Sequence, residues 1–204
     1  TVEALNSISL NIYRGEKIAL IGHNGSGKST FLRLISEIYY PTSGKIYKKV
    51  KPYPMLSPSF IVSEVLTGID SAKAHYLFRY GNLKGFENYL NDIVEFSGLG
   101  DFIALPIKTY SEGMKSRFIF SILTFDKHEF LALDEGIGTG DNSFYQKAEK
   151  RMREFIANAG TLVFASHSPD LLKKFCSRGL VFSCGNVVYD GKLNDALNFY
   201  AERN

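Results

Sequence analysis

Residues 22–30 read Gly22-His23-Asn24-Gly25-Ser26-Gly27-Lys28-Ser29-Thr30. This stretch constrains the fold more than any other part of the chain. Glycines at this spacing let successive backbone N–H groups turn inward around a phosphate. A helix opening at Lys28 aims the positive end of its dipole at the same point. Lys28 is then placed to reach β- and γ-phosphates, and the Ser29 hydroxyl to face Mg²⁺. The motif needs a strand before it and a helix after it. Lys17-Ile18-Ala19-Leu20-Ile21 is a short apolar run leading straight into Gly22, as in a buried central strand of a parallel sheet. From Lys28 to Ile38, Phe31, Leu32, Leu34 and Ile35 recur at helical spacing. ATP and Mg²⁺ are therefore the expected ligands.

The remaining pattern alternates strands with helices, which predicts an α/β domain on a mostly parallel sheet. Ser7–Tyr13, with Ile8, Leu10 and Ile12 apolar, reads as a strand with one wet face. Tyr13 falls on its face. A turn at Pro41-Thr42-Ser43-Gly44 leads to a second expected strand, Lys45–Val50. Pro52, Pro54 and Pro58 mark an irregular stretch. Ser63–Phe125 is helical by pattern, with Leu90, Ile93, Val94 and Phe96 on one face and a break at Gly98-Leu99-Gly100. It reads as an insertion. Buried strands are expected at Glu129–Asp134 and Thr161–Ser166, and helices at Asn142–Ala157, Pro169–Cys176 and Leu193–Glu202. Gly179–Ser183 and Val187–Asp190 flank Cys184-Gly185-Asn186 as an antiparallel hairpin. The expected division is a nucleotide-binding core at about 1–60 and 127–204 with a helical subdomain at about 61–126, all within one domain spanning 1–204.

Three further positions carry chemistry. Asp134 ends an apolar strand, where an acid in P-loop ATPases helps hold Mg²⁺. The adjoining Glu135 is suited to polarise an attacking water as general base. His167 follows a strand at its carboxyl end, where ligands of open parallel sheets bind, and is placed to donate to a γ-phosphate. Tyr110-Ser111-Glu112-Gly113-Met114 reads as a serine N-cap with an acid in the first helical turn, and it offers one more helix N-terminus to phosphate.

These motifs in this order resemble the ATPase subunit of ABC transporters, from about Ala4 to the end of the chain. The resemblance implies a P-loop NTPase (RecA-like) core with a small antiparallel β part and an inserted helical subdomain. It makes Gly22–Thr30 the Walker A loop, Leu131–Asp134 the end of Walker B, and Glu135 the catalytic glutamate. Ser111-Glu112-Gly113 becomes the signature loop, Gly138-Thr139-Gly140-Asp141 the D-loop, and His167 the switch histidine. It also implies an ATP-sandwich homodimer, in which Ser111 and Gly113 of one copy face the Walker A loop of the other. An integral-membrane permease is the further partner, with the chain cytoplasmic and peripheral on the inner face of the membrane. Tyr110-Ser111-x-Gly113-Met114, the run from Asp134-Glu135 to Gly140-Asp141, and Leu66-Thr67-Gly68 look like exporters of lipid-linked polysaccharide: capsule, O-antigen or teichoic acid. Three features differ from the family pattern. Ser57, Ser59 or Ile61 stands where a glutamine is usual, Glu112 replaces a glycine, and the adenine-stacking aromatic is expected upstream of Thr1. The closing helix is expected to end the chain without an appended carbohydrate-binding domain.

Composition narrows the alternatives. With 204 residues and a net charge of +3, the chain has no long coiled-coil insertion and no strongly basic surface. That weighs against a DNA-repair ATPase and predicts no nucleic-acid partner. A P-loop small-molecule kinase has no need of Tyr110–Met114 or His167. A different ABC exporter, or a weakly active or pseudo-ATPase, remains the alternative reading. Cys176 and Cys184 share no metal spacing with each other or with the four histidines, and read as incidental thiols of a reducing compartment. No apolar run approaches the ~20 residues that cross a bilayer.

Overall fold

The computed structural model describes residues 3–55, 63–134 and 142–203. They fall into two compact units. One comprises 3–55, 128–134 and 156–203, and the other 63–127 and 142–155.

The first unit is built on a six-stranded sheet. Its strands are β1 (Lys17–Ile21), β2 (Tyr53–Met55), β3 (Phe130–Leu133), β4 (Thr161–Ala165), β5 (Arg178–Ser183) and β6 (Asn186–Lys192), in the spatial order β2-β3-β4-β1-β5-β6. All neighbours are parallel except β5 and β6, which form the expected antiparallel pair. Ile18, Ala19 and Leu20 in β1, and Leu162 and Val163 in β4, are fully buried. Each large aliphatic side chain so placed contributes about 1.5–3 kcal/mol. Helix α1 (Lys28–Ile35) lays Phe31, Leu32 and Ile35 on a cluster with Ile18, Leu20, Val163 and Phe182. Helices α6 (Pro169–Phe175) and α7 (Leu193–Ala201) belong to the same unit. Ser168 caps α6 and proline opens it, as its sequence predicts.

The register brings three strand ends to one level. Leu20 of β1 pairs with Ala165 of β4, and Leu133 of β3 with Phe164. The residues that follow, Gly22, Ser166-His167 and Asp134, therefore leave adjacent strands side by side.

The second unit contains α2 (Gly68–Tyr80), α3 (Phe86–Ser97), two 3₁₀ turns (Gly100–Ala104 and Ile107–Thr109), α4 (Glu112–Leu123) and the larger part of α5 (Asn142–Asn158). Tyr76, Tyr89, Ile93, Ile103, Ile107 and Phe118 form its core. Gly98 ends α3 in the left-handed conformation, which accounts for the break read at Gly98–Gly100. Phe96, Phe120, Phe144 and Ala148 make a second cluster.

Four expectations are corrected. Ser7–Tyr13 is not a strand. Its alternation is real, since Ile8, Leu10 and Ile12 pack on the sheet core. Its backbone, however, is engaged outside any ladder. Asn11 O accepts from the Arg178 guanidinium and Tyr13 N–H donates to the Glu16 carboxylate, while Asn6 N–H, just before the segment, donates to Gly185 O. Tyr13 is consequently an exposed aromatic beside a turn and not on a sheet face. Lys45–Val50 also lacks a ladder partner, with Tyr47 86% exposed; Lys48 instead reaches Ile35 O and Glu37. Helix α1 stops at Ile35 and not Ile38, because Glu37 takes a left-handed φ of 60°. The proline-marked stretch holds a short strand, β2, despite Pro54. Its position at the sheet edge tolerates the missing N–H donor.

Candidate nucleotide-binding site

The glycine loop leaves β1 at Gly22, whose φ is 151°. A Cβ there would lie 2.5 Å from Phe182 O and 2.7 Å from Ser26 Oγ, so only glycine fits. Gly27 is the N-cap of α1, with φ 111° and no side-chain cap. The first turn of α1 carries no acid. Its first N–H groups have no partner within the helix, and its dipole adds positive potential. An anion satisfies both.

Lys28 is 8% exposed. Its Nζ donates to Gly22 O at 2.6 Å and His23 O at 2.9 Å. These two backbone carbonyls hold the ammonium group against the loop. His23 Nδ1 lies 2.8 Å from Asn24 O.

A cleft of about 560 Å³ opens above the loop. Asn24, Gly25, Gly27, Lys28, Ser29 and Thr30 form its floor. Asp134, Ser166 and His167 enter from β3 and β4. Asp134 N–H donates to Met55 O at 3.1 Å, which fixes the backbone at the end of β3. Ser166 Oγ accepts from Ser168 N–H at 3.1 Å, holding the turn that carries His167. The Ser29 hydroxyl and the Asp134 carboxylate both line the cleft. That donor set suits Mg²⁺, which keeps waters and substrate phosphates as its remaining ligands. Among the described residues no cluster of three or more His, Cys, Asp or Glu forms an all-protein metal cage.

The structure thus brings together the glycine loop, Lys28, Ser29, Thr30, Asp134 and His167. Glu135, Asp141 and the positions proposed for the missing glutamine, Ser57, Ser59 and Ile61, lie outside the described residues. Ser111 and Gly113 belong to the helical unit. Ser111 caps α4, its Oγ accepting from Met114 N–H at 3.2 Å. Glu112 points to solvent, its side chain 91% exposed, and lies 3.4 Å from Lys115 Nζ. Lys115 also donates to Glu64 at 2.7 Å, which holds the Glu64 carboxyl below its ordinary range.

Sequence reading missed one wall of the cleft. Glu3, Ala4, Cys184 and Gly185 line it. Cys184-Gly185 is recognisable as a hairpin turn, but nothing in its local sequence says that the turn reaches the phosphate loop.

A parallel sheet with a glycine loop after a central strand, and an acid and a histidine at the neighbouring strand ends, defines a P-loop nucleotide-binding protein. The ABC transporter family matches residues 5–138. The O-antigen export system ATP-binding protein RfbE of Yersinia enterocolitica is 40% identical over 178 residues, covering 87% of this chain and 74% of that protein. The teichoic acids export ATP-binding protein TagH of Listeria innocua is 33% identical over 199 residues, covering 98% of this chain and 59% of TagH. This chain therefore spans about six-tenths of the length of that relative. The dimeric bacterial ABC transporter cassette MJ0796 superposes with a TM-score of 0.72 at 20% identity, covering 94% of this chain and 91% of that one. This chain belongs to the ABC transporter family, and it is an ABC-type ATPase. No helix among the described residues is long and apolar enough to cross a membrane.

Proposed function

We propose that this chain is the ATP-hydrolysing subunit of an exporter of lipid-linked polysaccharide. It works as a head-to-tail pair of copies on the inner face of the cytoplasmic membrane, beneath an integral-membrane permease. The observation that carries this reading is the convergence of Lys28, Ser29, Asp134 and His167 on one cleft. The 40% identity to an O-antigen export ATP-binding protein supports the polysaccharide cargo.

The phosphates of ATP rest on the N–H groups of the glycine loop and α1, with Lys28 against the β- and γ-phosphates. Ser29 and Asp134 would hold Mg²⁺, which would supply positive charge to offset that of the phosphates. Glu135 accepts a proton as water attacks the γ-phosphorus and the bond to the ADP oxygen breaks. His167 donates a hydrogen bond to a γ-phosphate oxygen as charge develops there. Ser111, Gly113 and Asp141 of the second copy complete the site, so the γ-phosphate favours the closed pair and its loss favours opening. Residues 54–68 and the helical unit pass this motion to the permease.

The test is Glu135→Gln with MgATP. Light scattering is expected to show a stable pair, while phosphate release falls about a hundredfold. Release at the wild-type rate would remove Glu135 as the base. For the cargo, loss of the chain from its host should leave lipid-linked polymer inside the membrane; unchanged surface polymer would sink that part.

A further inference from the structure

We infer that the β5–β6 hairpin turn, Cys184-Gly185, is a nucleoside-side wall of the ATP cleft and a strut for the phosphate loop. This rests on the nucleotide reading of that cleft. Gly185 N–H donates to Ser26 O at 3.0 Å, and Gly185 O accepts from Asn6 N–H at 2.8 Å. The turn is therefore tied to the phosphate loop on one side and to the N-terminal segment on the other. Gly185 is buried, and a Cβ there would come within 3.0 Å of Ala4 O. Close approach, added to its φ of 78°, makes it a glycine position.

Cys184 is the other central residue of the turn, with φ 45°. Two positive φ values between the paired Ser183 and Asn186 define the type I′ geometry, which normally selects Asn, Asp or Gly at the first position. A cysteine held there directs an exposed thiol at the rim of the cleft. The floor of the cleft is occupied by phosphate-binding groups. A nucleoside attached to those phosphates extends from the floor to a rim; Glu3, Ala4, Cys184 and Gly185 form one such rim, and the turn's own part of it, Cys184-Gly185, carries no charged side chain. The turn meets ligand with a small side chain and backbone atoms, so it recognises shape and excludes water, without a charged contact to the base.

The experiment is thiol alkylation of the whole chain with iodoacetamide, followed by peptide mass spectrometry. Cys176 is the internal control: burial pushes its thiol up to about 12, so it reacts slowly. ATP without Mg²⁺ is expected to slow Cys184 alkylation at least tenfold. Tripolyphosphate, which fills only the phosphate loop, is expected to protect less than twofold. Gly185→Val is expected to weaken ATP binding at least tenfold with an unchanged far-ultraviolet circular dichroism spectrum; unaltered affinity would remove the strut. Equilibrium dialysis with labelled ATP separates the two readings. ATP that binds without protecting Cys184, or protection equally strong from tripolyphosphate, overturns the nucleoside wall. No ATP binding at all overturns the nucleotide reading instead.

Discussion

Arg151 grips Asp92 with both terminal nitrogens, at 2.6 and 3.1 Å from the two carboxylate oxygens. The same guanidinium donates through Nε to Thr124 Oγ1 at 2.8 Å and lies 4.2 Å from the Phe96 ring centroid. One side chain thus ties α3, the end of α4 and α5 within the helical unit. A bidentate pair on an aromatic face is a geometry that lysine does not reproduce.

Arg151→Ala is expected to destabilise the protein by about 2–3 kcal/mol. That is below the cost at a fully buried pair, because the Asp92 side chain is 35% exposed. The melting temperature should drop by about 4–12 °C. Arg151→Lys should recover less than half of the loss. Differential scanning calorimetry of the two variants checks both values.

Gly22→Ala places a methyl group 2.5 Å from Phe182 O. Neither the loop nor the buried β5 backbone can yield without breaking ladder hydrogen bonds. A cost of about 2–3 kcal/mol is expected. ATP affinity should fall together with thermal stability, whereas a purely ligand-contacting residue would move only the first. Paired melts with and without ATP separate the two.

Lys28→Ala removes a cation held by Gly22 O and His23 O. Charge-assisted hydrogen bonds are worth about 1.5–3 kcal/mol, so ATP affinity should fall about tenfold to a hundredfold. Two carbonyls also lose their donor, and the apo protein should melt lower. An unchanged dissociation constant in isothermal titration calorimetry would contradict the role given to Lys28.

Acid should loosen the helical unit through His75. Burial, with a smaller contribution from Arg79, pushes its imidazole below the ordinary 6.5, against the opposing pull of Asp126. The ring sits 2.8 Å from the Tyr89 hydroxyl through Nδ1. A depressed histidine stays neutral in the folded state while the unfolded chain binds the proton, so this stability is present above pH 6.5 and declines as pH falls through and below it. His75→Gln should flatten the fall in melting temperature between pH 7.5 and 5.5. A wild-type slope in that variant would rule the histidine out.

Much of the site was legible because its chemistry is local. Gly22–Thr30 encodes its own loop, and Ser111 caps α4 through a contact three residues away. Asp134 and His167 announce themselves by ending apolar runs. The same locality explains the misreadings. Alternation in Ser7–Tyr13 fixed which side chains face the core, but a strand also needs a free edge. Arg178, distant in sequence, and Glu16, set by a turn, take that backbone instead. Pro54 suggested irregularity because its tolerance depends on β2 lying at the edge of the sheet.

What the chain determined by itself is the set of residues able to bind phosphate, and the strand-and-helix periodicity that presents them. These follow from backbone geometry and from contacts within one or two turns. Tertiary structure alone decided that β3, β4 and β1 lie side by side, so that Asp134, His167 and Lys28 share one cleft. It also set Phe182 against Gly22 and Gly185 against Ser26. Strand order and hairpin placement are selected by the packing of the whole sheet against α1. No short window of sequence contains that free energy.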